Sequence, residues 1–196
     1  YRLAGSVNGA TLVDIGANVG VSALAAIAYG AARVVAVEPD AVNVDQLRLN
    51  VALSGAADRV EIHHCAVGRP GQAQVHRDRK HPDGCYGSSW TSPPLEPGAR
   101  TVDQRLLEDF LPLAGDAVLK IDTEGAEFEI LAGTSTDVLA ARVERIVLEW
   151  HHFPARGIDA FEQLPHLAGR LQRRYDVELV GAPQRGGLLF ATRRCL

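Results

Sequence analysis

Short apolar runs rich in β-branched residues alternate along this chain with longer segments whose apolar positions recur at helical spacing. Residues 11–15, 33–37, 117–121 and 145–150 read as buried strands, and 59–64 reads as a strand because apolar and polar side chains alternate. Between them, 19–29, 41–53, 101–111 and the stretch after Gly125 carry helical spacing. In 101–111, Leu106, Leu107, Phe110 and Leu111 would share one side, with Pro112 as the stop. Residues 158–175 add a helix, with a break expected at Pro165. The runs 177–180 and 187–192, joined through Gly181, Pro183 and Gly186, read as a closing hairpin. This order predicts an α/β, Rossmann-like domain: a mostly parallel sheet, helices on both faces and an antiparallel last strand. Residues 72–98, rich in Pro and Gly, interrupt the alternation. They predict a hairpin and lid inserted before the fourth strand.

The first strand carries the first chemistry. Asp14-Ile-Gly16-Ala17-Asn18-Val-Gly20 puts a carboxylate near the end of a buried strand. Its glycines come where a backbone can lie against a ligand at the mouth of a helix. The dinucleotide pattern Gly-x-Gly-x-x-Gly is absent, because Asn18 stands at the second glycine, and this disfavours a nicotinamide-dependent oxidoreductase. Glu38 ends the second strand about twenty residues on, where a doubly wound sheet offers an acid to ribose hydroxyls. Two carboxylate oxygens can take both hydroxyl protons of a ribose. A turn that only packs a helix on a sheet, or a domain that binds without catalysis, is the competing reading.

Together, Val13-Asp14-Ile-Gly16-Ala17-Asn18-Val-Gly20 and Glu38-Pro39 resemble the S-adenosylmethionine site of class I methyltransferases, and in wording the FkbM-type methyltransferases. Lys120-Ile-Asp122-Thr-Glu124-Gly-Ala-Glu127 is a second match to that type. Asn50 in Leu-Arg-Leu-Asn and Gly87-Ser88-Ser89 are similar to further elements of it. The resemblance implies a seven-stranded class I fold and a single methyltransferase domain over 1–196. It implies S-adenosylmethionine as cofactor, held by Asp14, Gly16, Ala17, Asn18, Gly20, Glu38 and Pro39. Adenine would lie against Cys65, Ala66 and Val67, and the methyl group would face Asp122. The acceptor would be a hydroxyl on a small molecule, sugar or polyketide-like.

The second half offers the means to activate such a hydroxyl. Asp122 and Glu149 end neighbouring strands, and His151 follows two residues after Glu149 on the same face. Two mechanisms are open. His151 can act as general base, or Asp122 and Glu149 can hold Mg²⁺ or another hard divalent cation that acidifies the hydroxyl. Glu124 and Glu127 are expected in the first turn of the next helix, where acids complement its dipole. Adjacent His63 and His64 point to opposite faces of a strand and cannot share a metal. Ser92-Pro93-Pro94-Leu95 looks like an element of nucleic-acid amino-methyltransferases, but leucine replaces its aromatic residue.

Bulk composition narrows the setting. The chain has 196 residues, enough for one domain that buries roughly 70% of its unfolded surface without staples. A net charge of −4 with scattered basic residues shows no stripe for nucleic acid. No apolar run reaches membrane-spanning length, and no signal-peptide pattern opens the chain. Three irregularly spaced cysteines build no disulfide framework and fit a reducing cytoplasm. The lack of methionine leads to the expectation that a natural N-terminal segment precedes Tyr1. Oligomeric state is not legible.

Overall fold

A computed structural model describes residues 1–77, 88–90, 100–113, 115–154, 157–182, 184 and 186–195; side chains are described for these except 76, 77 and 88–90. The parallel strands β1 (Thr11–Ile15), β2 (Arg33–Glu38), β3 (Val60–His64), β8 (Ala117–Ile121) and β9 (Val143–Trp150) form the main sheet with β10 (Tyr175–Ala182) and β11 (Gly186–Arg193). Their order is β10-β11-β9-β8-β1-β2-β3, and β11 runs antiparallel to both neighbours. This is the expected class I arrangement.

Strand parity distributes the core. Val13, Ile15, Leu119, Ile121, Ile146 and Leu148 face one layer, made by α3 (Glu127–Ala132), α4 (Thr136–Arg142) and α5 (Ala160–Leu171). Leu12, Val34, Ala36 and Val118 face the other, made by α1 (Val21–Ala28) and α2 (Ala41–Leu53). α2 keeps its predicted bounds, because the Asp40 side chain accepts from the Val42 and Asn43 amides and caps it. α5 runs through Pro165 instead of breaking there. Pro165 is exposed, and so is Phe161, whose carbonyl loses an amide partner on the solvent side, where water can replace it. Among the described residues no helix is long and apolar enough to cross a membrane.

The segment predicted as a helix over 101–111 is different. Residues 100–105 form a strand, β7 (Arg100–Arg105), followed by a single 3-10 turn at Leu107–Asp109. Val102 turns inward between exposed Thr101 and Asp103, a period of two that the leucine cluster obscured. Leu107, Phe110 and Leu111 still reach the core from the 3-10 turn, whereas Leu106 stays exposed. β7 belongs to a second, four-stranded sheet of order β4-β7-β5-β6, with β4 at Ala66–Val67, β5 at Gly71–Arg77 and β6 at Ser88–Trp90. β5 pairs antiparallel with β6, and the residues that join them, 78–87, lie outside the described residues. The rest of the expected lid, with Gly87 and the Ser92-Pro93-Pro94-Leu95 element, lies outside the described residues.

Residues 1–10 are less peripheral than their polarity suggests. Leu3 and Val7 are buried in the α1–α2 core layer, and this anchors the lead-in across the end of the sheet.

Candidate active site

The glycine turn is held at its base by the sheet itself. Gly16 adopts φ 79°, and a Cβ there would come 1.8 Å from the Asp122 carbonyl oxygen, so only glycine lets the ends of β1 and β8 close together. The Asp122 amide donates to the Ile15 carbonyl at 3.0 Å across that junction. Asn18 takes φ 50°, a left-handed conformation that asparagine tolerates better than most residues. Gly20 also has a packing task. At φ 93° it caps α1 in the left-handed region, and a Cβ there would strike Leu47 Cδ1 at 2.4 Å, so glycine is also needed for the packing of α1 on α2. Asn50 is more than a surface residue of α2, since its Nδ2 donates to the Val19 carbonyl at 2.8 Å and ties that helix to the turn.

Glu38 is held from several sides. It accepts from the Asn18 amide at 2.9 Å, the Asp40 amide at 3.0 Å and Asn43 Nδ2 at 3.2 Å, and is 3% exposed. Burial raises its pKa, and the three donors oppose that rise. A carboxylate has roughly four acceptor sites, so about one stays available, short of the two ribose contacts expected from its place at the end of the second strand. Glu38 lines a cleft together with Gly16, Asn18, Pro39, Cys65, Val67 and Asp122, all expected cofactor residues. Burial pushes the Cys65 thiol up to about 11, so it acts as an uncharged wall. Ala17 lines an adjoining cleft of about 510 Å³ that shares Gly16, Asn18 and Asp122 with the first. Ala66 does not line either: its side chain packs with Val75 and Val102 in the small sheet.

Asp14 also departs from expectation. It is fully buried, accepts from Ser22 Oγ at 2.5 Å and lines neither cleft. Its partner is Lys120, directly opposite on β8, with Nζ 3.0 Å from Asp14 Oδ1 and 3.7 Å from Asp122 Oδ2. Lys120 also donates to the Gly16 carbonyl at 3.0 Å. Burial alone would lower the lysine pKa, but Asp14 and Asp122 outweigh it and the net shift is upward, so the ammonium stays charged. Asp14 thus reaches the turn through Lys120, as a buried ion pair beneath it.

At the ends of β8 and β9 lies the predicted acid and histidine cluster. Asp122, Glu149 and His151 each offer a ligand atom, all within 4.8 Å of one another. Glu127 heads α3, is completely buried and accepts from the Thr123 and Gly125 amides at 3.4 and 3.1 Å, the capping role expected of it. It also meets His151 Nδ1 at 2.5 Å. Glu124 falls in the turn before α3 at φ 56°, not in the helix, with Oε2 3.5 Å from His151 Nε2. Burial works against charge on His151, but the Glu127 hydrogen bond, reinforced by Glu127, Glu124 and Asp122, raises its pKa to about 9. A ring held protonated is a poorer proton acceptor, so this shift weighs against a general-base role for His151.

Tyr1 completes the cluster. Its hydroxyl contacts Asp122 Oδ2 at 2.6 Å and Glu149 Oε2 at 2.7 Å, so one proton serves two acceptors. Asp14, Asp122, Glu124, Glu127 and Glu149 together outnumber Lys120 and His151, and the site carries excess negative charge where the two clefts meet. The site roles of Lys120 and Tyr1, and the pairing of Glu127 with His151, were missed from sequence. A lysine inside a wholly buried strand was a signal for the first; nothing marked Tyr1.

A family model described as Methyltransferase FkbM domain matches residues 14–176. Among solved structures, an FkbM methyltransferase from Methylobacillus flagellatus is similar with a TM-score of 0.60 and 19% identity, over 94% of this chain and 43% of that one. The chain therefore spans less than half of that protein's length. A ribosomal protein L11 methylase from Lactobacillus delbrueckii gives 0.53 at 17% identity, covering 97% and 73% of the two chains. A precorrin-6y C5,15-methyltransferase from Geobacter metallireducens gives 0.54 at 14% identity, covering 98% and 84%. No curated protein sequence matches.

Proposed function

The chain belongs to the FkbM methyltransferase family, and from that premise we propose that it transfers a methyl group from S-adenosylmethionine to a hydroxyl of a small molecule, sugar or polyketide-like. The observation that carries this reading is the position of Asp122, which lines both clefts and, with Glu149, supplies negative charge at their junction. Glu38 would hold the ribose, Pro39, Cys65 and Val67 the adenine, and the Gly16 to Asn18 turn the amino-acid tail. The surplus of acids suits a sulfonium, which is positive in the substrate and neutral after transfer. The bound cofactor supplies an already activated methyl group. The chain's own part is to hold the acceptor oxygen in line, about 3 to 3.5 Å from that carbon, and to take its proton.

Asp122 and Glu149 are the carboxylates placed to accept that proton. They also fit a hard divalent cation, with His151 as a third donor once its proton is displaced. Such an ion would lower the pKa of the hydroxyl.

Titration calorimetry with S-adenosylhomocysteine tests the reading. The unmodified chain should bind it, and Glu38→Ala should lose affinity by roughly tenfold or more as the ribose contact and the Asn18 amide tie disappear. Asp122→Asn should weaken S-adenosylmethionine more than S-adenosylhomocysteine, by roughly tenfold, because only the former is cationic there. Equal weakening of both ligands would disconnect Asp122 from the sulfonium, and an unmodified chain that binds neither would end the proposal.

A further inference from the structure

Glu127 does more than cap α3. One of its oxygens, Oε1, accepts from the Thr123 amide at 3.4 Å, the Gly125 amide at 3.1 Å and His151 Nδ1 at 2.5 Å, within a side chain that has no exposure. The turn's backbone fixes the carboxylate, and the carboxylate fixes the imidazole. Phe153 stacks on the same ring, with centroids 5.6 Å apart and planes 16° from parallel, so the ring is held on one edge and one face. Because Nδ1 is engaged by Glu127, Nε2 is the nitrogen left to meet a ligand.

That nitrogen faces acids at a distance. It lies 3.5 Å from Glu124 Oε2 and 4.0 Å from Asp122 Oδ1, both longer than an ordinary N–H···O bond. Asp122 turns its other oxygen, Oδ2, to the Tyr1 hydroxyl and to Lys120, and Glu149 meets the same hydroxyl through Oε2. Even so, Asp122, Glu149 and His151 each place a donor atom within 4.8 Å of the other two. Gaps of this size suit one cation between the donors, since its bonds to nitrogen and oxygen run about 2.0 to 2.2 Å. Charge favours it as well. Asp122, Glu124, Glu127 and Glu149 are all acids around one imidazole, and the neighbouring Lys120 is already paired with Asp14.

We propose that Glu127 is the positioning residue of a metal site, in which His151 Nε2, Asp122 and Glu149 take a divalent first-row transition ion such as Mn²⁺ in preference to Mg²⁺. The inference rests on the metal-assisted form of the methyl-transfer reading and deepens it by naming the class of ion. Carboxylates alone suit Mg²⁺, whereas imidazole nitrogen is a donor better matched to transition ions. A freely turning ring would present that nitrogen only part of the time. Held by Glu127 and Phe153, it is oriented before the ion arrives, as a carboxylate partner does for many metal-binding histidines.

Calorimetry with Mn²⁺ alone and with Mg²⁺ alone tests this on the unmodified chain, His151→Gln, Glu127→Ala and Glu127→Gln, with circular dichroism to check each fold. The unmodified chain should take one Mn²⁺ at least about tenfold more tightly than Mg²⁺. Pulsed electron paramagnetic resonance of that Mn²⁺ should show coupling to an imidazole nitrogen. His151→Gln should lose the coupling and weaken Mn²⁺ roughly tenfold, with Mg²⁺ changed by less than about threefold. Glu127→Ala should also weaken Mn²⁺ roughly tenfold, and Glu127→Gln, which keeps an oxygen for Nδ1, should recover most of the loss. Bound Mn²⁺ without nitrogen coupling, or equal losses of both ions in His151→Gln, overturns the transition-ion assignment. An unchanged ratio of the two affinities in Glu127→Ala overturns the positioning role and leaves Glu127 a helix cap; should that variant not fold, the His151→Gln comparison and the nitrogen coupling still decide the ion. Binding of S-adenosylhomocysteine is measured in parallel. If it binds and Mn²⁺ does not, the metal site is overturned and the methyl-transfer reading stands. If Mn²⁺ binds and S-adenosylhomocysteine does not, the methyl-transfer reading is overturned and the metal site stands.

Discussion

His151 shows how one residue's surroundings change its chemistry. In water its ring would be mostly neutral, but here burial is overcome by the Glu127 hydrogen bond and the neighbouring acids, and its pKa rises to about 9. Because the folded value exceeds the unfolded one of about 6.5, the contribution to stability is complete below pH 6.5 and is lost as pH rises through about 9. The shift corresponds to on the order of 3 kcal/mol. Urea unfolding in the presence of chelator should show His151→Gln well below the unmodified chain at pH 6, with the gap narrowing at pH 10. A gap independent of pH would mean that the ring is neutral in the folded state. Sequence alone placed His151 at the site but gave no view of its pairing with Glu127, because that pairing crosses from the head of α3 to the end of β9.

Glycines make the corresponding point for the elements. Gly16 and Gly55 both have positive φ, at 79° and 68°, yet only the first faces backbone at its missing Cβ. Gly55→Ala should lose roughly 1 kcal/mol or so from its left-handed conformation. Gly16→Ala should lose at least about 2 kcal/mol, since the carbonyl of Asp122 has to move and the β1–β8 junction with it. Comparing urea midpoints of the two variants checks this, and similar losses would contradict the close packing at the junction. The motif spacing made that turn legible. The identity of β7 was not, because a run of leucines with helical spacing begins where its alternation ends, and the folded core draws in Leu107, Phe110 and Leu111 through one 3-10 turn.

For the molecule as a whole, the parallel order of strands and the reversed β11 followed from periodicity, turn residues and the family's wording. These are properties of neighbours in sequence and of strand ends. The second sheet and the Tyr1 contact were hidden because they join distant segments through pairings that no local pattern encodes: β4 with β7, and Tyr1 with Glu149. The burial of Asp14 was hidden for the same reason. A carboxylate at a strand end looks available until a lysine from the adjacent strand covers it.

The buried Lys120 has a kinetic consequence. Since its ammonium joins Asp14, Gly16 and Asp122 inside the sheet's centre, the glycine turn cannot open by itself without separating β1 from β8. The Gly16 and Ala17 amides, which donate to the Val37 carbonyl, and the Asp122 amide should then exchange with deuterium at one common slow rate, close to that of global unfolding. Fast exchange at Gly16 alone would break the link. If the rates coincide, the cradle stands ready in the empty protein, and ligand capture spends little conformational entropy on forming it.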